Sequence, residues 1–147
     1  MERNVSSRRL LAQARPQEEQ DGEPDRGGAQ VLRSVVRRHG ADDLAAFFTD
    51  DAVYHNIPLA PVTGREAIAN NFATFIRPGP PGIEAIEFRI INIAADGPVV
   101  MTERVDVFKL PDKSFELPVM GTFEVSEGKI NAWRDYFDTN QFTSRMG

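Results

Sequence analysis

Residues 99–138 read VVMTERVDVFKLPDKSFELPVMGTFEVSEGKINAWRDYFD, three long runs of strand character parted by two turn signals. The runs are Val99 to Leu110, Phe115 to Val125 and Lys129 to Asp138, and the turns are Pro111-Asp112-Lys113 and Ser126-Glu127-Gly128. Turns this short join neighbouring antiparallel strands, so the segment predicts a meander. A fourth run, Ile83 to Ala94, precedes it and widens the sheet.

Upstream of the meander the apolar period changes. In AQVLRSVVRRHG, residues 29–40, Val31, Leu32, Val35 and Val36 recur at helical spacing and Gly40 suits a C-terminal stop. DDLAAFFTD predicts a second short helix with Leu44, Phe47 and Phe48 on one side, and Asp50-Asp51 a turn into a strand over Ala52 to Ile57. Thr63-Gly64-Arg65-Glu66 has the form of a capping box with Thr63 as the cap. The helix it opens carries a stripe of Ile68, Phe72, Phe75 and Ile76, suited to packing on a sheet, and Pro78 to Pro81 end it. Helices first and a long-stranded sheet afterwards indicate an α+β domain.

Residues 1–28 are polar, charged and interrupted by Pro16, Gly22, Pro24 and Gly27-Gly28. Such composition cannot bury enough apolar surface to offset the entropy of ordering, so a flexible leader is expected, with the domain proper over residues 29–147. The whole chain has 147 residues, 41% hydrophobic, enough for one domain with a sizeable core. A formal charge of -5 argues against nucleic-acid partners, whose binders carry basic stripes. Cysteine is absent, which removes disulfides, thiolate nucleophiles and sulfur-ligated metals, and His39 and His55 lack ligand spacing, so neither metal nor cofactor is expected. No apolar run is long enough to cross a membrane, and Leu10-Leu11-Ala12 is too short for the core of a secretory signal. A soluble, cytoplasmic protein without a membrane partner is the expectation.

The polar residues inside the strand runs carry the chemistry. Side chains at i and i+2 of a strand share a face, so Tyr54 stands beside Asn56, and Arg104 beside Asp106. Taken alone, the run around Arg104 could follow the usual antiparallel pattern, with Arg104 and Asp106 in solvent and the valines inward. In the last run Asp135 lies between Trp133 and Phe137 on one face, and a carboxylate between two large aromatics is seldom kept unless paired or functional. His55, on the face opposite Tyr54 and Asn56, reads as structural or exposed. Two aspartates in a dry pocket would repel, and one would be forced to keep a proton. An arginine between them can bond both through its fork of donors. Holding a proton at neutral pH needs a rise of about three units above the usual 3.9, or about 4 kcal/mol. The outcome is one acid and one base side by side.

The motifs Tyr54-His55-Asn56, Arg104-Val105-Asp106 and Trp133-Arg134-Asp135-Tyr136-Phe137-Asp138 resemble those of the limonene-1,2-epoxide hydrolase family, over roughly residues 29–145. The resemblance implies the cone-shaped barrel of nuclear transport factor 2 and SnoaL-like proteins. In it a curved mixed or antiparallel sheet wraps a deep apolar pocket, with three to four N-terminal helices. It implies hydrolysis of a small lipophilic epoxide to a vicinal diol in one step. Asp135 would take a proton from water held by Tyr54 and Asn56, Asp106 would protonate the epoxide oxygen, and Arg104 would bridge the aspartates. It implies a pocket lined by Phe75, Phe108, Leu117, Val119, Trp133, Phe137 and Phe142, and a homodimer formed through exposed sheet surface.

Two other readings use the same residues. A ketosteroid-isomerase-like or polyketide-cyclase-like enzyme would abstract a proton beside a carbonyl, with Tyr54 or a protonated acid stabilising the enolate, but it does not need Arg104. A non-enzymatic domain would bind a small ligand and keep the polar cluster as support.

Overall fold

The expected meander forms from four consecutive antiparallel strands. A computed structural model of the chain describes Gly28, residues 41–77, Gly79 and residues 82–147. The expected leader apart from Gly28, and the expected helix over 29–40, lie outside the described residues. Along the described chain run α1 (Ala41–Ala45), β1 (Phe48–Asn56), β2 (Val62–Thr63) and α2 (Arg65–Phe75). β3 (Ala85–Asp96), β4 (Val99–Lys109), β5 (Ser114–Ser126), β6 (Lys129–Tyr136) and α3 (Thr139–Met146) follow.

The six strands form one sheet in the order β2-β1-β6-β5-β4-β3. β3 to β6 pair antiparallel, whereas β1 pairs parallel with β6 and antiparallel with β2, so the sheet is mixed. The sheet is open, not closed into a barrel, because β2 and β3 stand at its two edges. Register shifts between Ile90 and Asn92, and between Glu124 and Val125, mark bulges, which bend strands this long. Two-residue turns join β3 to β4 and β5 to β6, with Gly97 at φ 55, Glu127 at φ 51 and Gly128 at φ 76. Positive φ at the centre of such a turn matches the right-handed twist of the flanking strands.

Several local expectations are corrected. Of the helices expected ahead of the sheet, α1 and α2 are the two among the described residues. α1 stops at Ala45, and Phe48 begins β1 instead of extending a helix. Asp50 and Asp51 are not a turn. They lie within β1 where its register against β6 shifts between Phe48 and Val53, so two acids in succession reach solvent. Phe48 and Ala52 on either side of them are fully buried. Thr63 does not cap α2, because it belongs to β2 and pairs with Val53. The cap position is Gly64, at φ 94, whose carbonyl accepts from the Ile68 amide at 2.9 Å. α3 was not expected: its sequence, TNQFTSRM, offers only Phe142 and Met146 as apolar anchors. Asp138, expected at the end of a strand, is its cap, with the side chain accepting from the amides of Asn140 and Gln141.

α2 lays Ile68 and Phe72 against the sheet. One apolar cluster gathers Phe48, Phe72, Phe88 and Trp133, and a second gathers Ile83, Phe108, Leu117 and Val119, with Phe142 of α3 against it. The cavity described next takes its walls from both.

Candidate active site

The alternation on β4 puts Thr102, Arg104, Asp106 and Phe108 inward, while Glu103 is exposed. The pattern that would send Arg104 and Asp106 to solvent is therefore overturned. Both outer neighbours of β4 in the meander, β3 and β5, cover that face with apolar side chains, among them Phe88, Val119 and Phe123. Arg104 is 3% exposed, Asp106 5% and Asp135 4%.

Strand pairing brings the sequence-separated residues together. In the parallel register of β1 on β6, Tyr54 lies opposite Trp133 and Asn56 opposite Asp135. β5 separates Asp135 on β6 from Arg104 on β4, and the arginine spans that gap. Arg104 Nε donates to Asp106 Oδ1 at 2.7 Å and Nη2 to Asp106 Oδ2 at 3.1 Å. The same Nη2 donates to Asp135 Oδ2 at 2.6 Å, and Nη1 to Thr102 Oγ1 at 3.4 Å. Asp135 Oδ1 accepts from the indole Nε1 of Trp133 at 2.6 Å, and Tyr54 donates its hydroxyl to Asn56 Oδ1 at 3.2 Å. Three rings also surround the guanidinium, with its carbon 5.3 Å from the Phe88 centroid, 5.6 Å from Trp133 and 5.9 Å from Phe123. Among the described residues, no buried side-chain nitrogen or oxygen lacks a partner.

The electrostatics follow from burial. Burial pushes the Asp106 carboxyl up to about 6, with Arg104 opposing the rise and Asp135 adding to it. Burial works against the Arg104 cation, but Asp135 and Asp106 more than offset it, so its pKa is raised and the charge is fixed. Burial, reinforced by Asp135, raises the Tyr54 hydroxyl, which stays a neutral donor. Each carboxylate oxygen has two lone pairs, so the bidentate pair with Arg104 still leaves Asp106 able to carry a proton.

These polar groups sit at the wall of a cavity of about 110 Å³. Tyr54, Asn56, Asp106 and Asp135 line it, as do all seven of Phe75, Phe108, Leu117, Val119, Trp133, Phe137 and Phe142. Arg104 lies behind the two carboxylates and is not among the lining residues. Leu44 of α1, Phe72 of α2, Phe88 of β3, and Leu59 and Ile83 from connecting segments are also part of the apolar wall without having been anticipated there, since no local pattern connects elements so far apart in sequence. Trp133 was expected only as wall, but its indole N–H also holds Asp135, a role the i, i+2 spacing on β6 could have suggested. His55 points away from the cluster, with Nε2 2.9 Å from the Leu59 carbonyl. Among the described residues no three metal-ligating side chains converge. The arrangement can supply a proton donor, a proton acceptor and hydrogen bonds for a small polar molecule, all facing a greasy space.

A model of the limonene-1,2-epoxide hydrolase catalytic domain matches residues 28–146. Epoxide hydrolase EphG of Mycobacterium tuberculosis is 33% identical over 109 residues, which is 74% of this chain and 70% of EphG. A solved M. tuberculosis LEH-like epoxide hydrolase superposes with a TM-score of 0.70 at 27% identity, covering 82% of this chain and 89% of that one. A protein of ketosteroid isomerase-like fold from Catenulispora acidiphila superposes at 0.68 with 19% identity, covering 85% and 95%, a likeness of fold alone.

Proposed function

The chain belongs to the limonene-1,2-epoxide hydrolase family, and from that premise we propose that it adds water to a small lipophilic epoxide in one step to give a vicinal diol. The observation that carries this reading is Arg104 bonded to both Asp106 and Asp135 at the wall of an apolar cavity. Asp106 is the general acid, Asp135 the general base, Arg104 the bridge, and Tyr54 with Asn56 the holders of water.

The hydrogen-bond inventory supports these roles. A water beside Asp135 gives one proton to that carboxylate and directs the other to the Tyr54 oxygen. It accepts from the Asn56 amide, which leaves one lone pair for attack on carbon. As the new C–O bond forms, the ring C–O bond breaks and Asp106 delivers its proton to the departing oxygen, so no alkoxide is released. Each such transfer contributes on the order of 10²–10⁴ in rate, and holding the water in line adds an orientation gain. When Asp106 holds its proton the two aspartates and Arg104 are neutral overall, which suits a water-poor cavity. The apolar wall favours uncharged substrates. Exposed Met101, Met120 and Tyr136 on the outer sheet face favour assembly as a homodimer.

The test is a diol-release assay across cyclic, terpene and styrene-type epoxides. Asp106→Asn and Asp135→Asn should each lower turnover at least about a hundredfold. Both variants keeping wild-type activity would remove the assignment. An isomerase reading gains nothing from the bridging arginine, whose presence fits two carboxylates working in opposite proton senses.

A further inference from the structure

Arg104 and Asp135 are on strands that do not touch. β4 and β6 flank β5 and so lie about 10 Å apart, and the guanidinium crosses the intervening strand to make its 2.6 Å bond. The residue it crosses is Gly121, which pairs with Thr102 on one side and Asp135 on the other. A β-carbon built at Gly121 would overlap Arg104 Nη1, and would stand 2.9 Å from Asp135 Oδ1 and 3.0 Å from Phe123 Cε2. The tip of an arginine usually yields to such a methyl. Here it is tied to both carboxylates and Thr102 and boxed by Phe88, Phe123 and Trp133, so yielding breaks the bridge. The backbone gives no other reason for a glycine. Gly121 is not among the positions of positive φ, and a glycine inside a strand weakens it unless something approaches closely.

We infer that Gly121 is a positioning residue for the reaction: its missing side chain is the passage through which the Arg104 guanidinium reaches across β5 to join Asp106 to Asp135. The inference rests on the hydrolase reading for its effect on turnover, but not for its effect on packing. Glycine at 121 thereby belongs with the two aspartates and the arginine as a requirement of the bridge, although it touches no substrate.

The test compares Gly121→Ala in two backgrounds, the natural protein and Arg104→Lys. Lysine keeps a cation between the carboxylates and removes Nη1, the atom the methyl would meet. Turnover of whichever epoxide the natural protein accepts and the thermal midpoint are read for all four proteins. In the arginine background, the alanine should lower kcat about a hundredfold with KM within about threefold, and lower the midpoint. In the lysine background it should change neither kcat by more than about threefold nor the midpoint appreciably, the signature of coupled sites. A Gly121→Ala protein that fails to fold, with a double variant that folds, supports the same coupling. Equal losses in both backgrounds, or wild-type kcat in Gly121→Ala, would overturn the inference. If the natural protein opens no epoxide, the hydrolase reading fails, and the melting comparison still decides the role of Gly121.

Discussion

Asp106 makes the electrostatics of the site measurable without an assay. Its folded carboxyl titrates at about 6 instead of 3.8, because burial outweighs the help of Arg104. Between those values the folded protein binds more protons than the unfolded one, so this group's contribution is fully present below about pH 4 and is lost as pH rises to about 6. A difference of about two units corresponds to about 3 kcal/mol. Urea unfolding of the natural protein and of Asp106→Asn should therefore show a stability difference that changes over this window and is flat above it; a difference independent of pH would mean an ordinary carboxyl. Tyr54 with Asn56 and Arg104 with Asp106 were legible as pairs, because two-residue spacing fixes which side chains share a face, but which face it is, and the grouping of both pairs with Asp135, came from the family resemblance and not from the spacing. The indole of Trp133 on Asp135, and the open space at Gly121, were not anticipated. The first follows from the same two-residue spacing on β6 once the indole N–H is counted as a donor as well as a wall; the second depends on which residues stand opposite one another on adjacent strands, and period-two patterns carry no information on lateral register.

At the scale of elements, the meander was readable because its turns are short and chemically marked. Its limits in the sequence lie within two or three residues of those of β3 to β6. β1 and β2 were harder: Asp50-Asp51 looks like a turn but is an irregular stretch of strand, and a two-residue strand has no period to detect. α3 escaped because eight residues with two apolar anchors resemble a tail, and packing of Phe142 on Phe108 and Phe115, not propensity, accounts for it. The β5–β6 turn stores a local misfit. Glu127 adopts φ 51, a left-handed conformation costing a side chain of this kind about 1–2 kcal/mol, whereas asparagine tolerates it. Glu127→Asn should raise unfolding stability by about 0.5–1 kcal/mol, read from the urea midpoint, with activity unchanged. A lower midpoint would show that the turn has another constraint.

At the scale of the molecule, an open sheet with one polar and apolar concave side leaves its outer side to be explained. There Glu87, Arg89, Lys109 and Glu116 form exposed ion pairs, while Met120, 50% exposed, stands directly opposite Tyr136, 47% exposed. Met120→Glu should shift the proposed dimer to monomer in sedimentation velocity, since a charge in an apolar contact costs several kcal/mol; an unchanged species would place the interface elsewhere. The inner side carries the main claim, that Asp135 directs a water at carbon while Asp106, joined to it through Arg104, protonates oxygen. The most direct measurement is a single turnover in oxygen-18 water with enzyme in excess over epoxide. The expected result is one labelled oxygen in the diol of that first turnover and a protein of unchanged mass. An unlabelled diol with the label in an aspartate would mean that a carboxylate, not water, attacks the ring.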